Sequence, residues 1–409
     1  MFSYPSNLDP IFDKLIKQNI KPIIVGGFVR DSILGISSKD IDIELYGLAS
    51  FLDLENLLKE FGDVNIVGKS FGVCKLRFEG YDLDFSLPRV ENKINSGHRG
   101  FEVFVDPNLD FQTAASRRDF TINSMGYDLL QKRVLDPFGG VSDLKNRILR
   151  ASNLKRFGED PLRVLRAAQF CARFELSMDK DLLLLCRDMV LKNMLSELPK
   201  ERIFEELKKI LLKSKKPSYG FKLLKEFGVD LYMQNIAITD EITKQLTSDP
   251  KTDIILMLAG LFYNLKEGEI KKIISDLTSQ KELVDATLEL VKFQNEINTI
   301  YANGVDDYQL YKLSTKADIY KLLILSSSIY FTKNSSRVYE AGEEIYKYAK
   351  SLNILYKKAP AILMGKDLIK FGLIPSKEFS KILSEAYEAQ IEGKFKDHSG
   401  AILWLKSHL

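Results

Sequence analysis

Between Val25 and Leu45 the chain reads VGGFVRDSILGISSKDIDIEL, a stretch whose residue types suit phosphate chemistry. Gly26 and Gly27 follow a short apolar run, Pro22–Val25, that reads as a buried strand; glycine accepts positive φ and lets a ligand approach the backbone closely. Phe28–Leu34 then reads as one or two helical turns, so outward-pointing backbone N–H groups are expected where strand, Gly-Gly and helix meet. Arg30 adds a fork of donors shaped for phosphate oxygens. Downstream, Lys39-Asp40-Ile41-Asp42-Ile43-Glu44-Leu45 alternates strictly, which predicts a half-buried strand. Side chains at i and i+2 share a strand face, so Asp40 and Asp42 project side by side while Ile41 and Ile43 face a core. Two adjacent carboxylates repel unless a cation sits between them, and hard oxygen donors favour Mg²⁺. An isolated Asp-x-Asp is ordinarily a solvated edge strand. The Gly-Gly-x-x-Arg just upstream is what lifts the metal reading above that one.

The elements that must hold these groups follow from the pattern on either side. Residues 1–145 are expected to form a mixed α/β unit, with strands at Pro22–Val25, Ile41–Leu45, Val73–Phe78, Leu83–Leu87 and Phe101–Val105. Asp82-Leu83-Asp84-Phe85-Ser86-Leu87 repeats the polar–apolar alternation, so Asp82 or Asp84 is a candidate third carboxylate; an exposed hairpin strand is the plain alternative. The polar stretch between Arg89 and Val103, with two glycines and no period, predicts a mobile loop. Arg117-Arg118-Asp119 is a compact charge cluster that leads into an amphipathic segment; paired arginines often form a solvated helix end, and they also suit a triphosphate. Asp136-Pro137-Phe138-Gly139-Gly140 is a turn on any reading, and a candidate hinge.

From Asn146 onward helical periodicity takes over, so the fold class is α+β: a mixed sheet with helices, followed by an all-α remainder. A helix start is expected at Phe157–Pro161, with acids and proline in its first turn. At 100° per residue, Glu159, Asp160, Arg163 and Arg166 would then share one arc, with Val164, Leu165, Ala168 and Ala172 facing a core. A row of surface ion pairs is one reading of that arc. A hydrogen-bonding edge is the other, because a carboxylate accepts and a guanidinium donates toward a base. Glu201–Lys213 is a clean amphipathic helix, and a proline-bounded tail begins near Pro360. In a chain of 409 residues, 45% hydrophobic and 28% charged, two to four globular units are expected. A net charge of +3 leaves nucleic acid to local patches. Cys74, Cys171 and Cys186 form no disulfide or zinc pattern, so a reducing cytoplasm is expected; the apolar run Ile254–Tyr263 is too short for a bilayer, and no signal peptide is expected at the start.

Taken in order, Gly-Gly-x-Val-Arg-Asp with Asp-x-Asp, Arg-Arg-Asp-Phe-Thr-Ile-Asn, Asp-Pro-Phe-Gly-Gly and Glu-Asp-Pro-Leu-Arg-Val-Leu-Arg form an ordered set. The chain resembles the class II tRNA nucleotidyltransferases (CCA-adding enzymes) and their sisters, the bacterial poly(A) polymerases, over roughly residues 22–230, with a tail segment at Gly365–Pro375 also similar. The resemblance implies a seahorse-shaped protein: a catalytic head at 1–145, a neck at 146–230, and a body at 231–355 and tail at 356–409 that bind tRNA. It implies addition of CCA to the tRNA 3′ end from CTP and ATP, without a template and with release of pyrophosphate. CC-only or A-only addition, poly(A) synthesis and a non-catalytic tRNA-binding role are the alternatives.

On that resemblance Asp40 and Asp42 hold two Mg²⁺ ions, with Asp84 preferred as third ligand. Gly26, Gly27, Arg30, Arg117, Arg118, Asp119 and Asn123 fall on nucleotide- and phosphate-binding motifs. Asp160 and Arg163 map onto the neck residues that pair with C or A, with Glu159 beside them and Arg166 as a further nucleotide-binding arginine. The segment 91–102 is similar to the flexible loop used for the final A. Two departures stand out: Gln169 stands where the family usually has Arg, and Ser124 where it has Ala. A monomer or homodimer is expected, with no membrane partner, and three histidines are too few for a His-Asp phosphohydrolase domain.

Overall fold

The computed structural model describes residues 2–48, 50–67, 73–93, 101–229 and 234–409. The chain divides into two compact units, Met1–Leu231 and Tyr232–Leu409.

The first unit begins with helix α1 (Asp9–Lys17) and then builds a seven-stranded mixed sheet. Its strands are β1 (Lys21–Val25), β2 (Asp40–Tyr46), β3 (Val64–Val67), β4 (Val73–Phe78), β5 (Tyr81–Ser86), β8 (Gly126–Asp128) and β9 (Arg133–Leu135); β6 (Arg89–Lys93) and β7 (Phe101–Val105) form a separate ribbon. The order across the sheet is β3-β4-β5-β2-β1-β8-β9, with β2 parallel to β5 and antiparallel to β1. Ile24, Ile41, Ile43, Leu45, Leu83 and Phe85 are all buried on one face, where α1, α2 (Gly27–Ile33) and α3 (Phe51–Leu58) pack. On the other face Ile23, Val25, Tyr46 and Ala114 form a small cluster beneath α4 (Phe111–Ala115). Both faces are therefore used, one for the main core and one partly for chemistry.

One expectation is corrected here. The stretch between Arg89 and Val103 is not a single loop, since its flanks pair antiparallel from Arg89–Val105 to Lys93–Phe101; residues 94–100 lie outside the described residues. After Arg118 the amphipathic segment makes a short 3₁₀ turn, Thr121–Asn123, and then the interior strand β8.

The rest of the first unit is helical. After α5 (Gly140–Asn146) and α6 (Leu154–Phe157) come α7 (Leu162–Phe174), α8 (Lys180–Leu191), α9 (Lys200–Lys213) and α10 (Pro217–Phe227). Helix α7 is the hub, packed on both α9 and α10, and Val164, Leu165, Ala168 and Ala172 are buried as its periodicity requires. It begins at Leu162, later than expected. Pro161 fixes φ near the helical value but Glu159 and Asp160 remain in the preceding turn, so only Arg163 and Arg166 obey the helical arc.

In the second unit the helix Pro250–Phe262 is buried nearly all round, which explains its unbroken apolar run, and it packs on Ile236–Thr243, Lys281–Phe293 and Ile319–Lys333. Leu363, Leu368, Phe379, Phe395 and Leu405 form a separate small core near the C-terminus. Among the described residues no helix is long and apolar enough to cross a membrane.

Candidate active site

Strand β2 presents four polar side chains along one face. Tyr46 and Glu44 are buried at its far end, whereas Asp42 and Asp40 are exposed at the near end; Ile41 and Ile43 point the other way. The alternation thus puts Asp40 and Asp42 on one side, as strand geometry demands. On the neighbouring strand Asp82 lies opposite Asp40 and Asp84 opposite Asp42, and on the other side Val25 lies opposite Asp42. Asp84 also accepts an ion pair from Lys75 Nζ at 2.6 Å.

The turn after β1 closes the site. Gly26 has φ +70° and ψ −128°, a conformation that favours glycine, and its N–H donates to Met125 O at 3.1 Å. A Cβ on Gly26 would lie 2.6 Å from Arg118 Nη1 and 3.7 Å from Asp42 Oδ2, so turn, arginine and carboxylate touch. Arg117 and Arg118 arrive from α4, which packs over this same face. Their Nη2 atoms donate to Glu44 Oε1 at 2.9 and 3.0 Å. Hydration lost around its carboxyl pushes the Asp42 pKa up, Arg118 pulls it down, and Asp84, Glu44 and Asp40 push it up again; the net direction is upward. Glu44, although buried, is held below the ordinary range by Arg118 and Arg117.

Among the described residues no three His, Cys, Asp or Glu side chains are drawn together as a preformed metal cage. Asp40, Asp42 and Asp84 nonetheless offer hard oxygen donors from one face of two adjacent strands. Lost hydration first, and repulsion from Asp84, Glu44 and Asp40 after it, raise Asp42, and a divalent cation would offset that repulsion. The donor set therefore fits Mg²⁺.

Other candidate residues are placed differently. Arg30 is 5% exposed. Its Nε donates to Asp31 Oδ1 at 2.8 Å, its Nη1 to Asn123 Oδ1 at 2.5 Å, and its guanidinium carbon lies 4.5 Å from the Phe174 ring centroid. The expectation that it cradles phosphate is corrected, because its donors are spent inside. Asn123 Nδ2 in turn donates to Asp119 Oδ1 at 2.9 Å, and Arg166 Nε to Asp119 Oδ2 at 2.8 Å. Asp31, Arg30, Asn123, Asp119 and Arg166 thus form an internal chain that joins the sheet to α7. Asp160 Oδ1 accepts the N–H of Leu162, the first residue of α7, at 3.0 Å. Arg163 donates to the carbonyls of Arg117 and Arg156, at 2.7 and 2.9 Å, which ties α7 to the arginine pair. Gly27 lies beside Arg30, and Glu159 sits in the turn before α7.

The two departures have structural counterparts. Ser124 Oγ bonds Ala115 O, Phe120 O and Ser152 Oγ, so its hydroxyl is satisfied. Gln169 is 1% exposed, and its Nε2 has no hydrogen-bond partner among the described residues. Sequence reasoning missed Glu44 and Lys75. The signal for Glu44 was present, since it is the third acid in step along the face of β2 and tandem arginines need a counter-charge.

A family model described as the poly A polymerase head domain matches residues 23–150, and one described as a probable RNA and SrmB-binding site of polymerase A matches residues 175–233. The chain is 40% identical over 195 residues to a multifunctional CCA protein of Xylella fastidiosa, covering 47% of this chain and 45% of that protein. It is 28% identical over 348 residues to a CCA-adding enzyme of Coxiella burnetii, covering 82% and 88%. The chain spans about half the length of the multifunctional CCA proteins it matches. In fold it resembles a Bacillus stearothermophilus CCA-adding enzyme in complex with CTP (TM-score 0.70, 20% identity, 99% of each chain). It also resembles a Thermotoga maritima CCA-adding enzyme complexed with tRNA (TM-score 0.62, 21% identity, 100% and 97%). The head-domain match spans the strands that carry Asp40, Asp42 and Asp84 and also includes Arg118, so residues 23–150 of this chain are similar to the poly A polymerase head domain.

Proposed function

We propose that the chain adds CCA to the 3′ end of tRNA without a nucleic-acid template, using CTP and ATP and releasing pyrophosphate. The observation that carries this reading is the contact of the Gly26 turn, Arg118 and Asp42 on the open face of β2. Relatives named for CCA addition, and solved structures of such enzymes with ATP, CTP and tRNA, support it. Enzymes of this family are generally metal-dependent, and Asp40, Asp42 and Asp84 are the residues to hold Mg²⁺ here. Bound there, Mg²⁺ would lower the pKa of the RNA 3′-hydroxyl and offset charge on the triphosphate and the departing pyrophosphate. Lys75 must yield Asp84 for that role. Arg118 and Arg117 take the triphosphate oxygens, and the bare Gly26 turn leaves room for them. Asp160 and Arg163 address the base by accepting and donating, and Arg163 exchanges its backbone carbonyls for that purpose.

In this reading residues 1–145 form the head, 146–230 the neck, and 231–355 and 356–409 the body and tail that meet tRNA. A reducing cytoplasm suits the three buried free cysteines. The family models named for poly(A) polymerase favour one alternative, poly(A) synthesis. Incubating the protein with tRNA ending at the discriminator base and each nucleotide separates the two. CTP plus ATP should extend the RNA by three nucleotides. A ladder of long A tails would overturn CCA addition in favour of polymerase activity.

A further inference from the structure

We propose that Glu44 is the positioning residue of the triphosphate site, gathering the Arg117 and Arg118 guanidiniums onto one carboxylate so that they meet the phosphates as a preset pair. The inference rests on the nucleotide-transfer reading above.

Glu44 stands two residues beyond Asp42 on the same strand face, yet it cannot serve as another metal ligand, because its oxygens are spent. Oε1 accepts both arginine Nη2 atoms, at 2.9 and 3.0 Å, and Oε2 accepts the Tyr46 hydroxyl at 3.0 Å. It is 1% exposed, so the hydrogen bonds that replace its lost water are these ones. One carboxylate shared by two guanidiniums engages a single terminal nitrogen of each arginine. The Arg118 atom nearest the Gly26 turn is Nη1, which is not the one given to Glu44. Glu44 therefore grips Arg118 from behind and leaves donors for an anion in front. Holding long side chains in their bound geometry reduces the ordering cost of binding.

A device that acts on phosphate-binding arginines must act equally on every nucleotide, whatever its base. Steady-state KM and kcat would be measured on the full chain for CTP with tRNA ending at the discriminator base, and for ATP with tRNA ending in CC. Glu44→Gln weakens the charge-assisted bonds, and Glu44→Asp shortens their reach. Both should raise the two KM values by one common factor of about ten, with kcat changed less than about threefold. Tyr46→Phe removes one bond on the side away from the arginines and should raise both KM values by a smaller common factor, which keeps the test readable if Glu44→Gln fails to fold. Unchanged or lowered KM values, or a change for one nucleotide alone, would overturn the role. Pyrophosphate binding measured by calorimetry reads the same device without turnover. Binding weakened in Glu44→Asp by a protein that incorporates no nucleotide would sustain the positioning role and sink the functional reading instead.

Discussion

Asp42 has the most crowded surroundings of the carboxylates on β2. It lies opposite Asp84 on one strand and Val25 on the other, under Arg118 and against the glycine turn, and its pKa is raised by lost hydration and by its acidic neighbours. Arg118 offsets only part of that crowding, and in the proposed mechanism a divalent cation offsets the rest, so removing Asp42 should remove the metal. Asp42→Ala is expected to lower nucleotide incorporation by about 10³-fold or more, since metal-assisted charge stabilisation supplies several kcal/mol. Binding of tRNA in a filter assay should stay within about twofold of wild type. Retained turnover in that variant would remove the metal mechanism. Arg30 and Arg118 make the complementary point: two arginines in recognisable motifs, one with its donors spent inside and the other lying over the site.

At the scale of elements, the chain Asp31–Arg30–Asn123–Asp119–Arg166 binds α2 and the turn before β8 to α7. Arg30 lies over the rings of Phe170 and Phe174 while its polar edge meets Asp31 and Asn123. Arg30→Ala would leave Asp31 buried without its partner, at a cost of about 3–5 kcal/mol. A large fall in melting temperature with little change in the nucleotide KM is expected; a KM rise at unchanged stability would restore the phosphate-binding role. Asp119 supplies a pH signature. Burial would raise its pKa, but Arg166, Asn123 and Arg163 hold it below the ordinary range. A carboxylate held below its unfolded value, about 3.9 for Asp, stabilises the fold fully above that pH and loses the contribution as pH falls through the folded value. Melting temperature should therefore fall below about pH 4, and Asp119→Asn should lack that part of the fall while being less stable at neutral pH.

At the scale of the whole molecule, a net charge of +3 gives no general field for RNA, so in the proposed role any contact with tRNA phosphates has to come from local groups. The second unit contains a cavity of about 1120 Å³ whose lining includes Lys271, Lys292, Lys316 and Lys333. Lys292 and Lys316 lie 5.4 and 6.0 Å from the Phe293 ring centroid, which sets two cations around one aromatic face. In the proposed tRNA-binding role, affinity should fall about a hundredfold or more between 50 and 200 mM salt if some four phosphates are neutralised. Replacing Lys292 and Lys316 together by Ala should reduce the slope of log affinity against log salt by about two. An unaltered slope would exclude both lysines from the interface.

The sequence by itself determined what depends on neighbours along the chain. Strict alternation put Asp40 and Asp42 on one strand face, and the 3.6-residue period set the buried side of α7, because strand and helix geometry act over a few residues. It also carried the ordered motifs on which the family resemblance rests. Only the tertiary structure decided which charges are spent and which are presented. Arg30 is consumed by Asn123, 93 positions away, and Glu44 by Arg118, 74 positions away. Whether an acid on β2 would face a metal or an arginine depends on α4 packing over that face. That contact is made across the fold, and no local period encodes it.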